Sequence, residues 1–246
     1  MDAQSLGLGL AFSLIAAISA AVGQAGASGY IAAMAFADLA PMAMKVTALC
    51  LNMIVAGIGT GLFLRAGRLS LRNIYPFAVL GFPFSVLGGM LPLPGAIYHP
   101  VVGLVLFVSR VQMARGAWRL GAEVPMTHSP PFFGALATGA AIGFVSGTTG
   151  TGGGVFLAPV ILMMGWANAR QTAATTAVYN LMNSAAALLG AQAFWGDLPA
   201  ALPLWGLAVA IGGSLGAVLG SRTLSERWLR GFLALLLFIS GLKLMI

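Results

Sequence analysis

Charge is what this chain has least of. Of its 246 residues, 12 are Lys or Arg and 5 are Asp or Glu, 7% in all, where a soluble domain carries about 25%. So few charges cannot cover a water-facing surface, and a soluble globular protein is excluded. Cysteine occurs once, at Cys50. That rules out an intrachain disulfide and any multi-cysteine metal cluster, and Cys50 reads as a small apolar packing residue. His99 and His128 stand far apart with no further ligand at metal-binding spacing, so neither a metal nor another cofactor is expected. Asp38 and Asp197 fall at the ends of apolar runs, and Glu123 and Glu226 in polar connections. No carboxylate relay for protons is therefore visible inside an apolar run. No glycine-rich stretch ends in G-K-[ST], which argues against ATP hydrolysis through a phosphate loop. Paired Ser–His, paired Asp and metal clusters are missing too, so the chain is not expected to be an enzyme. Asp2 and no basic residue precede the first apolar run, so the run from Leu6 is expected to be retained rather than cleaved as a signal peptide.

What is present is hydrophobic: 59% of residues, with a mean hydropathy of +0.97. The reading is an all-α polytopic membrane protein, one transmembrane transporter domain over residues 1–246. The formal charge of +7 sits mostly in short connections between apolar runs. There it orients a membrane protein, and no nucleic-acid partner is expected; the partner is the lipid bilayer.

Three blocks recur in order. GQAGASGY from Gly23 matches GTTGTGGG from Gly147, TALCLN from Thr47 matches TTAVYN from Thr175, and LFVSR from Leu106 matches LFISG from Leu237. The spacing predicts two repeats, 6–120 and 132–246. Each holds a segment broken by glycine, followed by three apolar runs. In the first repeat these are Leu6–Val22 with Tyr30–Ala37, then Met42–Leu64, Ile74–Leu91 and Val101–Trp118. In the second they are Phe132–Val145 with Val155–Gly165, then Thr172–Phe194, Leu202–Leu219 and Leu229–Ile246. The piece after each break is far shorter than the ~20 residues of a full span, so each broken segment reads as a re-entrant helical hairpin. If each hairpin returns to its own side, ten of the twelve basic residues lie on one face and only Lys45 and Lys243 on the other. A single crossing per broken segment would split them seven against five, so the positive-inside rule prefers the hairpin. Three net crossings per repeat then make the two repeats inverted, each a re-entrant hairpin plus three transmembrane helices.

Residues 147–154 include five glycines, each costing ~1 kcal/mol against alanine in a helix interior. A backbone broken at membrane depth is tolerated where it is buried in protein or lines a cavity. Two such breaks in corresponding positions point to a transporter's substrate site.

The run GFVSGTTGTGGGVFLAPVILMMG, followed by ARQTAATTAVYN, resembles the TauE/SafE sulfite exporter family, also called the toluene sulfonate uptake permease family. The likeness spans the whole chain, with GQAGASGY as the degenerate first copy. It implies transport of small sulfur oxyanions or organosulfonates, such as sulfite and sulfoacetate, across a bacterial cytoplasmic (inner) membrane, and a homodimer is compatible with it.

A helix N-terminus carries about half a positive charge and free N–H groups, so the helix ends after the two breaks suit an oxyanion. The candidate substrate residues are Gly150, Thr151, Gly152, Gly153 and Gly154 with Thr148 and Thr149, and in the first repeat Gln24, Gly26, Ser28 and Gly29. Asn52, Asn180 and Thr176 join them on the helices that follow. For the asparagines a second reading is hydrogen bonding between helices. Lys45 is either an anion attractor and substrate contact or a lysine snorkelling to the interface. Arg170 is either a second anion contact or a topology determinant. Gly88-Gly89 and Gly212-Gly213-Ser214-Leu215-Gly216 read as close helix packing. The expected function is a secondary transporter exporting a sulfur-containing anion by alternating access. The alternatives are an anion or small-solute channel of the same architecture and a non-transporting membrane assembly subunit.

Overall fold

A computed structural model describes residues 3–21, 23–67, 71–118, 130–167 and 169–220. The expected last run Leu229–Ile246, its LFISG block, and Arg222, Arg227, Arg230 and Lys243 lie outside the described residues. Nine α-helices are described: α1 Ala3–Ala21, α2 Ala27–Phe36, α3 Pro41–Arg65, α4 Leu71–Met90, α5 Gly95–Trp118, α6 Phe132–Thr149, α7 Gly154–Met163, α8 Ala169–Gly190 and α9 Leu202–Gly220. A 3-10 turn, Gln192–Asp197, follows α8. Among the described residues there is no strand. Helices α1, α3 and α6 are long and apolar enough to cross a membrane.

The lengths recur in order. Helices α1 and α6 have 19 and 18 residues, α2 and α7 have 10 each, α3 and α8 have 25 and 22, and α4 and α9 have 20 and 19. At 1.5 Å per residue the long arms reach about 28 Å and the short arms only about 15 Å. The short arms fold back. Gln4, near the start of α1, donates its side-chain amide to Ala37 O beyond the end of α2, at 3.2 Å. Ala135 near the start of α6 shares a buried cluster with Leu157 and Ile161 of α7 and with Ala167 beyond it. Each short arm also ends the same way, in a left-handed residue that satisfies a carbonyl of the last turn. Asp38 (φ 55) precedes Leu39 N–H bonded to Met34 O, and Gly165 (φ 65) precedes Trp166 N–H bonded to Ile161 O.

The breaks are narrower than the glycine pattern suggests. Helix α6 runs on through Gly147, Thr148 and Thr149, leaving Gly150–Gly153 as the break, and α2 already begins at Ala27. Gly147 is helical because its bare face is needed elsewhere. Gly139, Gly143 and Gly147, one turn apart on α6, lie against the carbonyl oxygens of Phe77, Gly81 and Ser85 on α4, where an added Cβ would overlap them. Gly212 and Gly216 of α9 meet the carbonyls of Ser13 and Ala17 of α1 in the same way. Both pairs run parallel, since the contacting numbers rise together. Helices α3 and α8 instead run antiparallel, with Gly59 near Ala177 and Asn52 bonded to Ser184. The glycine contacts of 88, 89, 212 and 216 are all close helix packing, as expected for membrane helices.

Gly143→Leu should prevent α4 and α6 from docking, because the obstacle is backbone rather than a movable side chain. Thermal unfolding in detergent is expected to show aggregated protein or a strongly lowered Tm. Gly61→Ala on α3 meets nothing within 4 Å and should leave Tm equal or higher, by up to ~1 kcal/mol of helix propensity.

Candidate functional site

Breaking a helix inside a low-dielectric bundle leaves backbone N–H groups to be satisfied. The chain does so with one asparagine per half. Asn52 of α3 accepts the Ala27 N–H at the start of α2 through Oδ1, at 3.1 Å. Asn180 of α8 accepts the Gly154 N–H at the start of α7 through Oδ1, at 3.4 Å. The two side chains then join across the halves, Asn52 Nδ2 donating to Asn180 Oδ1 at 3.0 Å and to Ser184 Oγ at 2.8 Å. Both are buried, Asn52 fully and Asn180 to 5% exposure.

Left-handed glycines make this approach possible. Gly26 (φ 90) and Gly153 (φ 84) are the residues just before α2 and α7, and Gly150 and Gly152 have φ 85 and 76. L side chains adopt this region at a cost of roughly 1–2 kcal/mol. At Gly152 an added Cβ would also strike the carboxamides of Asn52 and Asn180, and at Gly154 it would lie 3.1 Å from the Asn180 side chain. Side chains brace the second break. Tyr98 donates to Thr149 O at 3.0 Å, and Asn183 donates to Gly152 O at 3.3 Å and to Ser146 Oγ. Tyr30 donates to Ala25 O at 2.9 Å in the first break.

A small cavity lies where the two N-termini meet. Its lining comes from both halves: Gly23, Gln24, Ala25, Gly26, Ala27, Ser28 and Asn52 from one, Thr151, Gly154, Val155, Thr176 and Asn180 from the other. None of these is charged. The free space is about 10 Å³, room for about one water-sized sphere. Several donors in this wall are left without a protein partner. Among the described residues the N–H groups of Ser28 and Val155, both in the cavity wall, have no backbone partner in their first helical turns. The Ser28 hydroxyl, the Gln24 amide and Asn180 Nδ2 likewise find no acceptor there. Two converging helix N-termini, each worth about +0.5 charge, with spare donors and no acidic side chain, favour a small oxyanion.

Of the candidates, the structure brings together Gln24, Gly26, Ser28, Asn52, Thr151, Gly154, Thr176 and Asn180 around the cavity. Gly150, Gly152 and Gly153 shape the loop behind it. Thr148 and Thr149 instead turn their hydroxyls back to Phe144 O and Val145 O, at 2.6 and 2.8 Å, and Thr149 also bonds Thr151 at 3.0 Å. Gly29 faces Ile15 of α1, a packing contact within the first hairpin. Arg170 lies in the first turn of α8, with its side chain outside the described part of the structure.

Lys45 does not snorkel. It is fully buried, and its ammonium donates to Gly88 O, Gly89 O and Leu91 O at 3.1, 2.8 and 3.1 Å. The end of α4 leaves carbonyls without helical partners, and a cation is the strongest cap for them. Lys45 is not part of the cavity wall, but its backbone backs the break: a Cβ at Gly150 would lie 3.0 Å from Lys45 O. Residue-by-residue reading missed Ser184, Ser146 and Tyr98. Ser184 was findable, one turn beyond Asn180 on the same face; Tyr98 carries no local signal.

Gly152→Ala should distort the site without dissolving the fold. The strained φ and the clash with both asparagines predict a Tm lowered by a few degrees, read by thermal unfolding in detergent.

A family profile described as "Sulfite exporter TauE/SafE" matches residues 8–244. The chain is also similar to the "Probable membrane transporter protein y4hK" of Sinorhizobium fredii (strain NBRC 101917 / NGR234), 62% identical over 246 residues and covering all of both chains. No solved structure matches it. With nearly its whole length inside the profile, the chain belongs to the TauE/SafE sulfite exporter family of membrane transporters.

Proposed function

We propose that the chain is a secondary transporter that exports a small sulfur-containing anion, sulfite, sulfoacetate or another organosulfonate, across a bacterial inner membrane by alternating access. The observation that carries this reading is the cavity at the paired starts of α2 and α7, where donors from both halves converge and no side chain bears charge. Sulfite and sulfonates carry three acceptor oxygens on one pyramidal or tetrahedral centre, which suits donors arriving from two directions. The family's own description supplies the sulfur chemistry.

The space is too small for such an anion without movement of a short arm. That favours a carrier with an occluded state over an open channel. Two inverted repeats would supply the movement: α1 packs on α9 and α6 on α4, so each long arm docks on the other half. The equivalent helices α3 and α8 run antiparallel at the centre. An exchange of partners of this kind is what a pseudo-two-fold axis in the membrane plane requires.

Calorimetry or thermal unfolding of purified protein against sulfite, sulfate, thiosulfate, taurine, sulfoacetate and acetate tests the substrate. A sulfur anion at 100 times its Kd should stabilise the fold by about 2.7 kcal/mol. Silence from every sulfur anion, with stabilisation by an unrelated class of ligand, would remove the reading. Topology is checked separately in a Cys50→Ala background. Cysteines at Ala66 and Ser221 should label from the cytoplasmic side and one at Ala200 from the opposite side. Labelling of Ala66 and Ser221 from different sides would contradict the inverted arrangement.

A further inference from the structure

Both asparagines at the cavity carry the same assignment: Oδ1 sits on the first N–H of a helix, one in each half. A helix N-terminus is where an anion's oxygen binds, so each carboxamide oxygen stands in a place an oxyanion would take. A neutral amide oxygen is a weaker acceptor for such a donor than a charged oxygen. The other end of the same group is a donor pair, and Asn180 Nδ2 already has no acceptor among the described residues although Asn180 lines the cavity.

We propose that Asn52 and Asn180 are place-holding ligands that switch from acceptor to donor as the substrate arrives. In the closed, unloaded site their Oδ1 atoms satisfy Ala27 N–H and Gly154 N–H. An entering anion displaces both oxygens with its own, and the carboxamides turn so that their Nδ2 groups donate to it. Neither the Ala27 N–H nor the Gly154 N–H is left bare in either state, which is how these two helix starts can both load and empty. The contact between Asn52 Nδ2 and Asn180 Oδ1 makes the two exchanges cooperative, because turning one amide removes a partner of the other. The selectivity that follows is for ligands with at least two unprotonated terminal oxygens, one for each helix. This deepens the anion-site reading above and rests on it.

Aspartate separates this role from simple helix bracing. In Asn180→Asp a tethered carboxylate would still accept from Gly154 N–H and Asn52 Nδ2, as Oδ1 does, yet could not turn into a donor. The unloaded Tm should stay within a few degrees of the wild type or rise. Affinity for sulfite and for methanesulfonate, a probe that does not titrate, should fall at least tenfold by calorimetry. On the wild type, selective 15N labelling of asparagine gives a readout that needs no variant. The side-chain amide resonances of Asn52 and Asn180 should shift during methanesulfonate titration while those of Asn73 and Asn168 stay in place. If the wild type binds the probe and Asn180→Asp binds it equally well, or the Asn52 and Asn180 resonances do not move, the exchange is overturned and the anion site survives. If the wild type binds no sulfur anion at all, both fall together.

Discussion

Unsatisfied backbone N–H groups in the middle of a lipid-spanning bundle are the constraint on which this structure turns. Hydrocarbon offers such groups no partner, and each one buried and left bare costs roughly 1–3 kcal/mol. The chain breaks a helix twice and satisfies the first donor after each break from a neighbouring helix, Asn52 for α2 and Asn180 for α7. Because the asparagines also bond each other, the two breaks are tied into one polar centre. The Ser28 and Val155 N–H groups are left at the cavity wall, an arrangement that suits a negatively charged ligand.

The rest of the architecture serves to bring those two ends together. Glycine does this in two distinct ways. On α6 and α9 it removes side chains so that helix backbones touch, as Gly143 does at Gly81 and Gly216 at Ala17. In the breaks it permits left-handed backbone and close approach of the carboxamides, as Gly152 does. Lys45 solves the complementary problem at the far end of α4, where carbonyls rather than N–H groups lack partners. Its charge is thus tied to fold geometry, beside the break and outside the cavity.

Much of the fold was legible in the chain because a bilayer leaves few options. Lipid-exposed backbone must be helical or closed into a barrel, and the apolar runs within the described residues became helices; α3, expected over Met42–Leu64, spans Pro41–Arg65, while α5 starts at Gly95, six residues before the expected Val101. The short arms were legible from length alone, and the likeness between TALCLN and TTAVYN singled out Asn52 and Asn180 before any distance was known. The extent of the breaks was less so. A glycine reads the same in sequence whether it bends the chain or admits a neighbour, and Gly147 does the second while Gly150 does the first.

Composition, hydropathy and repetition by themselves determined a helical membrane protein with two broken segments and a polar pair at equivalent positions, because those properties follow from the solvent the chain must tolerate. Tertiary structure alone decided that Lys45 caps α4, that Thr148 and Thr149 bond their own helix, and that the two asparagines meet over the starts of α2 and α7. The reason is that a hydrogen bond depends on which groups lie within about 3 Å. For residues 128 positions apart, that distance is set only by how helices from opposite halves pack.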